Sequence, residues 1–272
     1  MGKDDLIEDV DTDGDRKFVT ALARGLDVLR CFKPYETNLT NQEIAQRTGL
    51  PKPTISRLTH TLRKLDYLVY SERTGTYRLG AGVLALGFGV LSSIEMTDRA
   101  RDELAALCDE GPNPHITSAL AEQHRLRAVY TTVHRSKEAI ALTINVGARL
   151  PLFYSAIGRA ILVGMTEKQR TALVDQGLRE LPDQRARIMK AVENGLRDYE
   201  EHGLCTGFGE WRKDVNGLAV PVFSLNGDRI HGLNVGGPSF FVEPDELLEH
   251  YAERVKRAAT NLSSGAPGKP AA

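Results

Sequence analysis

The sequence predicts an α+β chain in two parts: an α-rich amino-terminal module and a larger antiparallel-sheet domain, joined by a linker helix. Three observations carry that prediction. Two short helical patterns with a tight corner between them occupy residues 41–60. Runs that alternate with a period of two begin only near residue 115. Between them, residues 80–94 form a glycine-studded apolar stretch whose period is helical.

The corner comes first. In Asn41–His60, NQEIAQRTGLPKPTISRLTH, Ile44 and Ala45 close one helix onto its neighbour and Thr48-Gly49-Leu50 makes the turn. Gly49 sits where the chain must reverse, which calls for the positive φ that glycine tolerates. Pro51 suits the first turn of the next helix, where its missing N–H has no partner to lose. Ile55, Leu58, Leu62 and Leu65 form one apolar stripe, leaving Lys52, Thr54, Ser56, Arg57 and His60 on the outer surface. A small Ala45, a glycine four residues on and a β-branched Ile55 six further is helix-turn-helix spacing. A side chain larger than Ala45 would push the helices apart.

An ordinary αα-corner would satisfy the same pattern, and its neighbours argue against it. Upstream, Ala21–Phe32 is amphipathic, with Leu22, Leu26, Leu29 and Phe32 on one face. Downstream, Tyr67–Tyr70, Arg73–Thr76 and Tyr77–Leu79 read as strand, turn and strand, a wing carrying Arg73 and Arg78. Residues 16–80 hold 12 Lys and Arg against 5 Asp and Glu, in a chain whose net charge is −1. A local basic field displaces phosphate counterions, so it matters more than the total charge. The expected partner is double-stranded DNA. Lys52, Thr54, Ser56 and Arg57 are expected at base edges beside His60, with Arg57 bidentate to a guanine. Arg73, Arg78 and Arg24 are expected at phosphates. A two-fold dimer implies a pseudo-palindromic operator.

The totals bound the rest. A length of 272 residues has room for two domains, and no apolar run is long enough to span a bilayer. The amino terminus is acidic where a secretory signal is basic and then apolar, so a cytoplasmic location is expected. Cys31, Cys108 and Cys205 are odd in number and widely separated, which reads as reduced thiols with no zinc site and no cofactor. Residues 1–15 carry seven acids and one lysine, the composition of a disordered tail. Residues 263–272 are read the same way. The expected divisions are 16–80, a linker helix at 81–96 and a domain at 97–262.

In the linker, Val83, Leu86, Val90 and Ile94 form one stripe and Leu84, Phe88 and Leu91 a second, so partners are expected on both sides, including a second copy. Gly82, Gly87 and Gly89 suggest close helix approach. They also loosely echo a dinucleotide loop, but no strand leads in and no acidic ribose partner follows.

A helix is expected at 98–110, followed by alternating runs at His115–Ala121, Leu126–Val133 and Ala139–Val146. Helices follow at Ser155–Gly164, Glu167–Gln176 and Asp183–Glu201. Strands Leu218–Ser224 and Arg229–Val235 flank Asn226-Gly227, a hairpin signal. A closing helix runs from Pro244 to Leu262. This order predicts helices on one face of an antiparallel sheet. The other face is left solvated, paired or cupped around a ligand.

Two blocks carry a resemblance. Gly147-Ala148-Arg149-Leu150-Pro151-Leu152 runs into Ser155-Ala156-Ile157-Gly158-Arg159-Ala160-Ile161-Leu162, and Gly217-Leu218-Ala219-Val220-Pro221-Val222 is followed by Leu233-Asn234-Val235. Over residues 18–262 the chain resembles the IclR family of bacterial transcriptional regulators. The resemblance implies a winged helix-turn-helix, a linker helix and a GAF-like effector domain, assembled as a homodimer or homotetramer that regulates a catabolic operon. It also implies an effector site at the start of the helix after Pro151. That helix start, Tyr154, Ser155, Ala156 and Ile157, offers free N–H groups and a positive dipole end to an anion. Relatives with small oxo-acid ligands place polar groups where this chain has Ala156, Gly207, Gly217, Asn234 and Gly236, so their ligand does not carry over. The small lining, with Tyr130, Tyr154, Phe208 and Trp211 nearby, suits an aromatic or cyclic acid. His115 is a further candidate at a strand start, and Arg149 and Arg159 are candidates for a carboxylate contact or for structural roles.

Two rivals stay open. One is a hydrolase or acyltransferase using Ser155 or Ser239 with a histidine, against which no G-x-S-x-G elbow occurs. The other is a ligand-free architectural DNA binder, which would leave the large second domain without a use.

Overall fold

The computed structural model describes residues 17–33, 36–93, 95–138, 141, 142, 144–224 and 229–263, apart from the side chains of 88–93 and 95. The expectations for residues 1–15 and 264–272, for the Asn226-Gly227 turn and for part of the run at 139–146 lie outside those residues. The chain divides into two compact units between Ser93 and Ile94.

The first unit contains α1 (Thr20–Arg30), α2 (Asn41–Thr48), α3 (Lys52–Lys64), β1 (Leu68–Ser71), β2 (Thr76–Leu79) and α4 (Ala81–Ser93). A capping box starts α2: Thr40 Oγ1 accepts from the Glu43 N–H at 3.2 Å, and the Glu43 carboxylate accepts from the Thr40 N–H at 2.7 Å. Gly49 ends it in the left-handed region at φ 68°. Pro51 is the N-cap of α3, and Pro53 takes the place in the first turn expected for Pro51. Val28, Ile44 and Ile55 are fully buried at the centre, with Leu39, Leu62 and Leu68 around them.

Three details differ from the sequence reading. The unit's core receives only the last turns of α1, through Val28, Leu29, Cys31 and Phe32, while Leu22 and Leu26 are exposed. Leu65 lies outside the core as well, and Thr59 is buried within α3, its hydroxyl donating to the Ile55 carbonyl at 2.9 Å. In α4, Gly82 packs against the Tyr67 ring, but among the described residues nothing lies within 4 Å of where a Gly87 side chain would begin. Leu84 and Leu86 of the same helix are 74% and 59% exposed.

The second unit contains α5 (Glu95–Asp109), β3 (Thr117–His124), β4 (Arg127–His134), β5 (Arg149–Pro151), α6 (Ala156–Gly164), α7 (Glu167–Glu180), α8 (Arg185–His202), β6 (Cys205–Phe208), β7 (Val215–Phe223), β8 (Ile230–Pro238), α9 (Pro244–His250) and α10 (Ala252–Ser263). The strands form one antiparallel sheet in the order β5-β4-β3-β8-β7-β6.

Helices cover both faces, not one. Leu120, Leu218, Val220, Leu233 and Val235 point to a core closed by α5, α9 and α10. The alternate residues Ala119, Ala121, Tyr130 and Ala219 point to α6. The second face is lined by small residues, so α6 lies close: a Cβ at Gly232 would meet Ile157 at 2.7 Å. The alternating run at 139–146 supplies no strand in its described residues, and β5 takes the sheet edge, pairing Arg127 with Pro151. Gly147, at φ 85°, turns the chain there, its N–H donating to the Tyr130 carbonyl. The closing helix breaks at Tyr251, whose buried hydroxyl accepts from the Asn113 N–H at 2.9 Å.

Candidate functional site

The outward face of α3 is built by its own period. Ile55, Thr59 and Leu62 are buried, and Lys52, Ser56, Arg57 and His60 are therefore exposed on the opposite side, with Thr54 half-buried beside them. Lys52 Nζ reaches Gln42 Oε1 at 3.4 Å and Ser56 Oγ accepts from Asn41 Nδ2 at 3.4 Å, so these two residues stand at the α2–α3 seam. Arg57, Arg73 and Arg24 are exposed, and their guanidinium groups make no hydrogen bond or ion pair with the described residues. Arg78, on β2, donates to the Leu79 carbonyl at 3.3 Å. Gly75 closes the wing turn at φ 65°, its N–H donating to the Ser71 carbonyl.

In the second unit a small pocket, part of it open to solvent, lies between α6 and the sheet. Ser155 caps α6: its Oγ accepts from the Gly158 N–H at 3.2 Å and donates to the Pro151 carbonyl at 2.7 Å. Gly158 is required, because a Cβ there would fall 2.2 Å from the Leu152 carbonyl oxygen. Arg159 is 3% exposed and locks the next turn, donating to the carbonyls of Phe153 at 3.1 Å and Thr206 at 2.9 Å and pairing with Glu210 at 3.1 Å.

The pocket floor is a row of glycines, Gly207 paired with Gly217 and Gly217 with Gly236. A Cβ on Gly207 would meet the Ala156 nitrogen at 2.8 Å, which places the start of α6 directly over that row. Two residues along on the same face, Asn234 pairs with Ala219. The Asn234 amide faces the buried Tyr130 hydroxyl and pulls its pKa down against a larger upward push from burial, so Tyr130 stays neutral. The buried Asn234 Oδ1 has no hydrogen-bond partner among the described residues. Leu142, Ile144, Leu150, Ile157 and Trp211 form the walls. Lys, Arg, Asp, Glu and His are absent from the described lining. Any negative charge bound here is therefore balanced by backbone amides and the helix dipole.

Of the residues named from the sequence, Tyr130, Ser155, Ala156, Ile157, Trp211, Gly217, Asn234 and Gly236 come together at this pocket. Two lie apart. His115 stacks on Phe241 at 4.0 Å. Tyr154 is buried in a neighbouring cluster, donating to Gln184 at 2.8 Å under the Arg187 guanidinium. Phe208 packs toward the opposite face of the sheet. Sequence reasoning did not select Leu142, Ile144, Leu150, Val215 and Asn216. For the first two, the apolar phase of their run was the available signal.

Comparison with known proteins decides the family. The model for the IclR helix-turn-helix domain matches residues 21–72, and that for the bacterial transcriptional regulator IclR C-terminal region matches residues 88–264. The chain belongs to the IclR family of bacterial transcriptional regulators. Among IclR-family relatives, it is 32% identical to the HTH-type transcriptional regulator TsaQ1/TsaQ2 of Comamonas testosteroni, over 81% of this chain and 79% of that one. It is 29% identical to the Pca regulon regulatory protein of Pseudomonas putida, over 92% and 84%. An IclR-family transcriptional regulator from Brucella abortus, solved by crystallography, is 40% identical and superposes with a TM-score of 0.79, covering 94% and 95%.

Within this IclR-family chain, the cysteines are buried. Burial pushes the Cys31 thiol up to about 11 and the Cys205 thiol higher still, the opposite of what a reactive sensor needs. No helix among the described residues is long and apolar enough to cross a membrane.

Proposed function

We propose that this protein is a ligand-responsive repressor or activator of a catabolic operon, in which residues 16–80 bind a pseudo-palindromic operator, 81–96 link, and 97–262 sense a small aromatic or cyclic organic acid. The observation that carries the ligand half is the pocket itself: an uncharged, mostly apolar cavity at a helix start whose amides favour an anion. The name of the Pca regulon relative supports control of a set of genes as a regulon. The DNA half is supported by the exposed guanidinium of Arg57 on α3, which has no partner among the described residues, with Lys52, Thr54, Ser56 and His60 beside it; Arg24, Arg73 and Arg78 are the proposed phosphate contacts.

A homodimer or tetramer in the cytoplasm fits this reading. Val19, Leu22 and Leu26 of the first helix region and Leu84 and Leu86 of α4 are large apolar side chains left exposed in the single chain.

The enzyme alternative loses support at its nucleophiles. Ser155 spends its hydroxyl on capping α6, and Ser239 Oγ donates to the Lys213 carbonyl at 3.2 Å.

Selection of operator fragments from random duplex, followed by thermal shift of the full chain with aromatic and aliphatic acids, tests both halves. Recovery of a two-fold related site and stabilisation by an acid are the expected results. A ligand at a hundred times its dissociation constant stabilises by about 2.7 kcal/mol. An asymmetric preference, or no shift with any acid, would overturn the corresponding half.

A further inference from the structure

We propose that Asn41, a residue of α2, is a positioning residue for base reading by α3: its amide holds the Ser56 hydroxyl so that Ser56 meets the duplex as a hydrogen-bond donor. The inference rests on the reading of α3 as the helix that meets base edges, and it adds a residue from outside that helix to the determinants of specificity.

Asn41 opens α2, next to the Thr40 cap, and its half-buried side chain crosses the seam to α3. There it meets two residues one helical turn apart. Oδ1 accepts from the hydroxyl of fully buried Thr59 at 3.3 Å, and Nδ2 donates to Oγ of exposed Ser56 at 3.4 Å. Thr59 shares its hydrogen with the Ile55 carbonyl at 2.9 Å, which anchors it to its own helix. One amide thus ties the reading face to the core. The buried stripe of α3 carries a hydroxyl at this point, where a valine of the same shape would offer Asn41 nothing.

Hydroxyls on helices commonly turn back on their own backbone. Three in this unit do so: Thr48, Thr59 and Thr61 reach the carbonyls four residues earlier at 2.8, 2.9 and 3.0 Å. Ser56 does not, and Asn41 is its hydroxyl's one hydrogen-bond partner among the described residues. With Nδ2 donating to it, Ser56 accepts on the protein side and keeps its single hydrogen for an acceptor outside. In the major groove those acceptors are purine N7, guanine O6 and thymine O4. A serine turned back on the Lys52 carbonyl would have spent that hydrogen and could only accept.

The test is competition binding of the full chain to a duplex selected from a random pool, against the single base-pair variants of that duplex. The proteins compared are Ser56→Ala, Asn41→Ala, their double variant and Asn41→Asp. Ser56→Ala is expected to lose about threefold to tenfold in discrimination at one base-pair position, the size of one hydrogen bond. Asn41→Ala should lose the preference at that same position, and adding it to Ser56→Ala should cost nothing further there. A carboxylate only accepts, so Asn41→Asp should draw the Ser56 hydrogen inward and shift the preference toward pairs that place adenine N6 or cytosine N4 there. The added negative charge weakens every duplex alike and leaves the base order at other positions unchanged. If Asn41→Ala weakens all positions and random duplex equally, or adds its full cost to Ser56→Ala, Asn41 only supports the fold and the inference is overturned. So it is if Asn41→Asp keeps the original base order at that position. If Ser56→Ala alters no single position, the placing of Ser56 at a base edge fails and takes the inference with it, an outcome that this variant reports by itself.

Discussion

Replacing Arg159 by methionine isolates what holds the pocket's helix to its sheet. Arg159 is 3% exposed and gives hydrogen bonds to two carbonyls, Phe153 and Thr206, as well as to Glu210. Methionine keeps most of the stem, and hence the packing on Gly195, but donates nothing. A buried carbonyl left without its donor costs about 1–3 kcal/mol. Glu210 is 39% exposed and returns to water, so it adds little. A loss of about 2–6 kcal/mol is therefore expected from the two carbonyls. Because Glu210 adjoins Trp211, native emission should also shift to the red as the 209–214 segment loosens. Urea unfolding followed at Trp211 measures both in the second unit alone. Arg159→Lys should fall between, since an ammonium lacks the planar fork that serves three acceptors. Stability within about 1 kcal/mol of the unaltered protein, with native emission unchanged, would refute the reasoning that these bonds carry net stability.

Other perturbations probe separate parts. Arg57→Ala should cost about 1–3 kcal/mol in specific operator binding and little on random duplex, whereas Arg73→Ala should weaken both and reduce the salt slope by about one; binding isotherms at several salt concentrations distinguish them. Leu84→Asp with Leu86→Asp, one substitution on each apolar stripe of α4, should yield a lighter species in light scattering and collapse operator affinity, and unchanged mass would place both stripes in solvent. Burial raises the Glu122 carboxyl above its ordinary 4.5, with Arg229 offsetting only part. The folded state then holds that proton more tightly than the unfolded state, so stability falls as pH rises from about 4.5 through the folded value. Glu122→Gln should match the unaltered protein below that range and exceed it at pH 7 in thermal melts.

The helix-turn-helix was legible because its determinants are local: Gly49 needs its left-handed turn, and Ile44 and Ile55 meet across it. The stripes of α1 and α3 were misjudged at Leu22, Leu26 and Leu65 because periodicity identifies an apolar face without saying whether a neighbour exists to cover it. In the second unit the long β7 and β8 were readable, while β6 and β5, of four and three residues, are too short to carry a period. Both helical layers were harder to foresee. Along β7 and β8, Leu218, Val220, Leu233 and Val235 alternate with the small or polar Ala219 and Asn234, a pattern that does not declare which face is closed by which helix. The pocket residues came from a resemblance and from small side chains. Tyr154 and His115 fell outside because sequence adjacency to a helix or strand start does not fix the direction of a side chain.

The glycine floor constrains how this sensor can change over evolutionary time. Side chains added at Gly207 or Gly236 would collide with backbone atoms, the Ala156 nitrogen at 2.8 Å and the Asn216 carbonyl oxygen at 2.5 Å, before they met any ligand. Point mutation therefore has no gradual route to a new polar contact from those two floor positions. Divergence in ligand choice is channelled to the rim and the far end, to Leu142, Ile144, Trp211 and Asn234, where a side chain can be exchanged without moving a strand. Relatives with polar groups at the floor positions must therefore also differ in how closely α6 and β7 approach the floor.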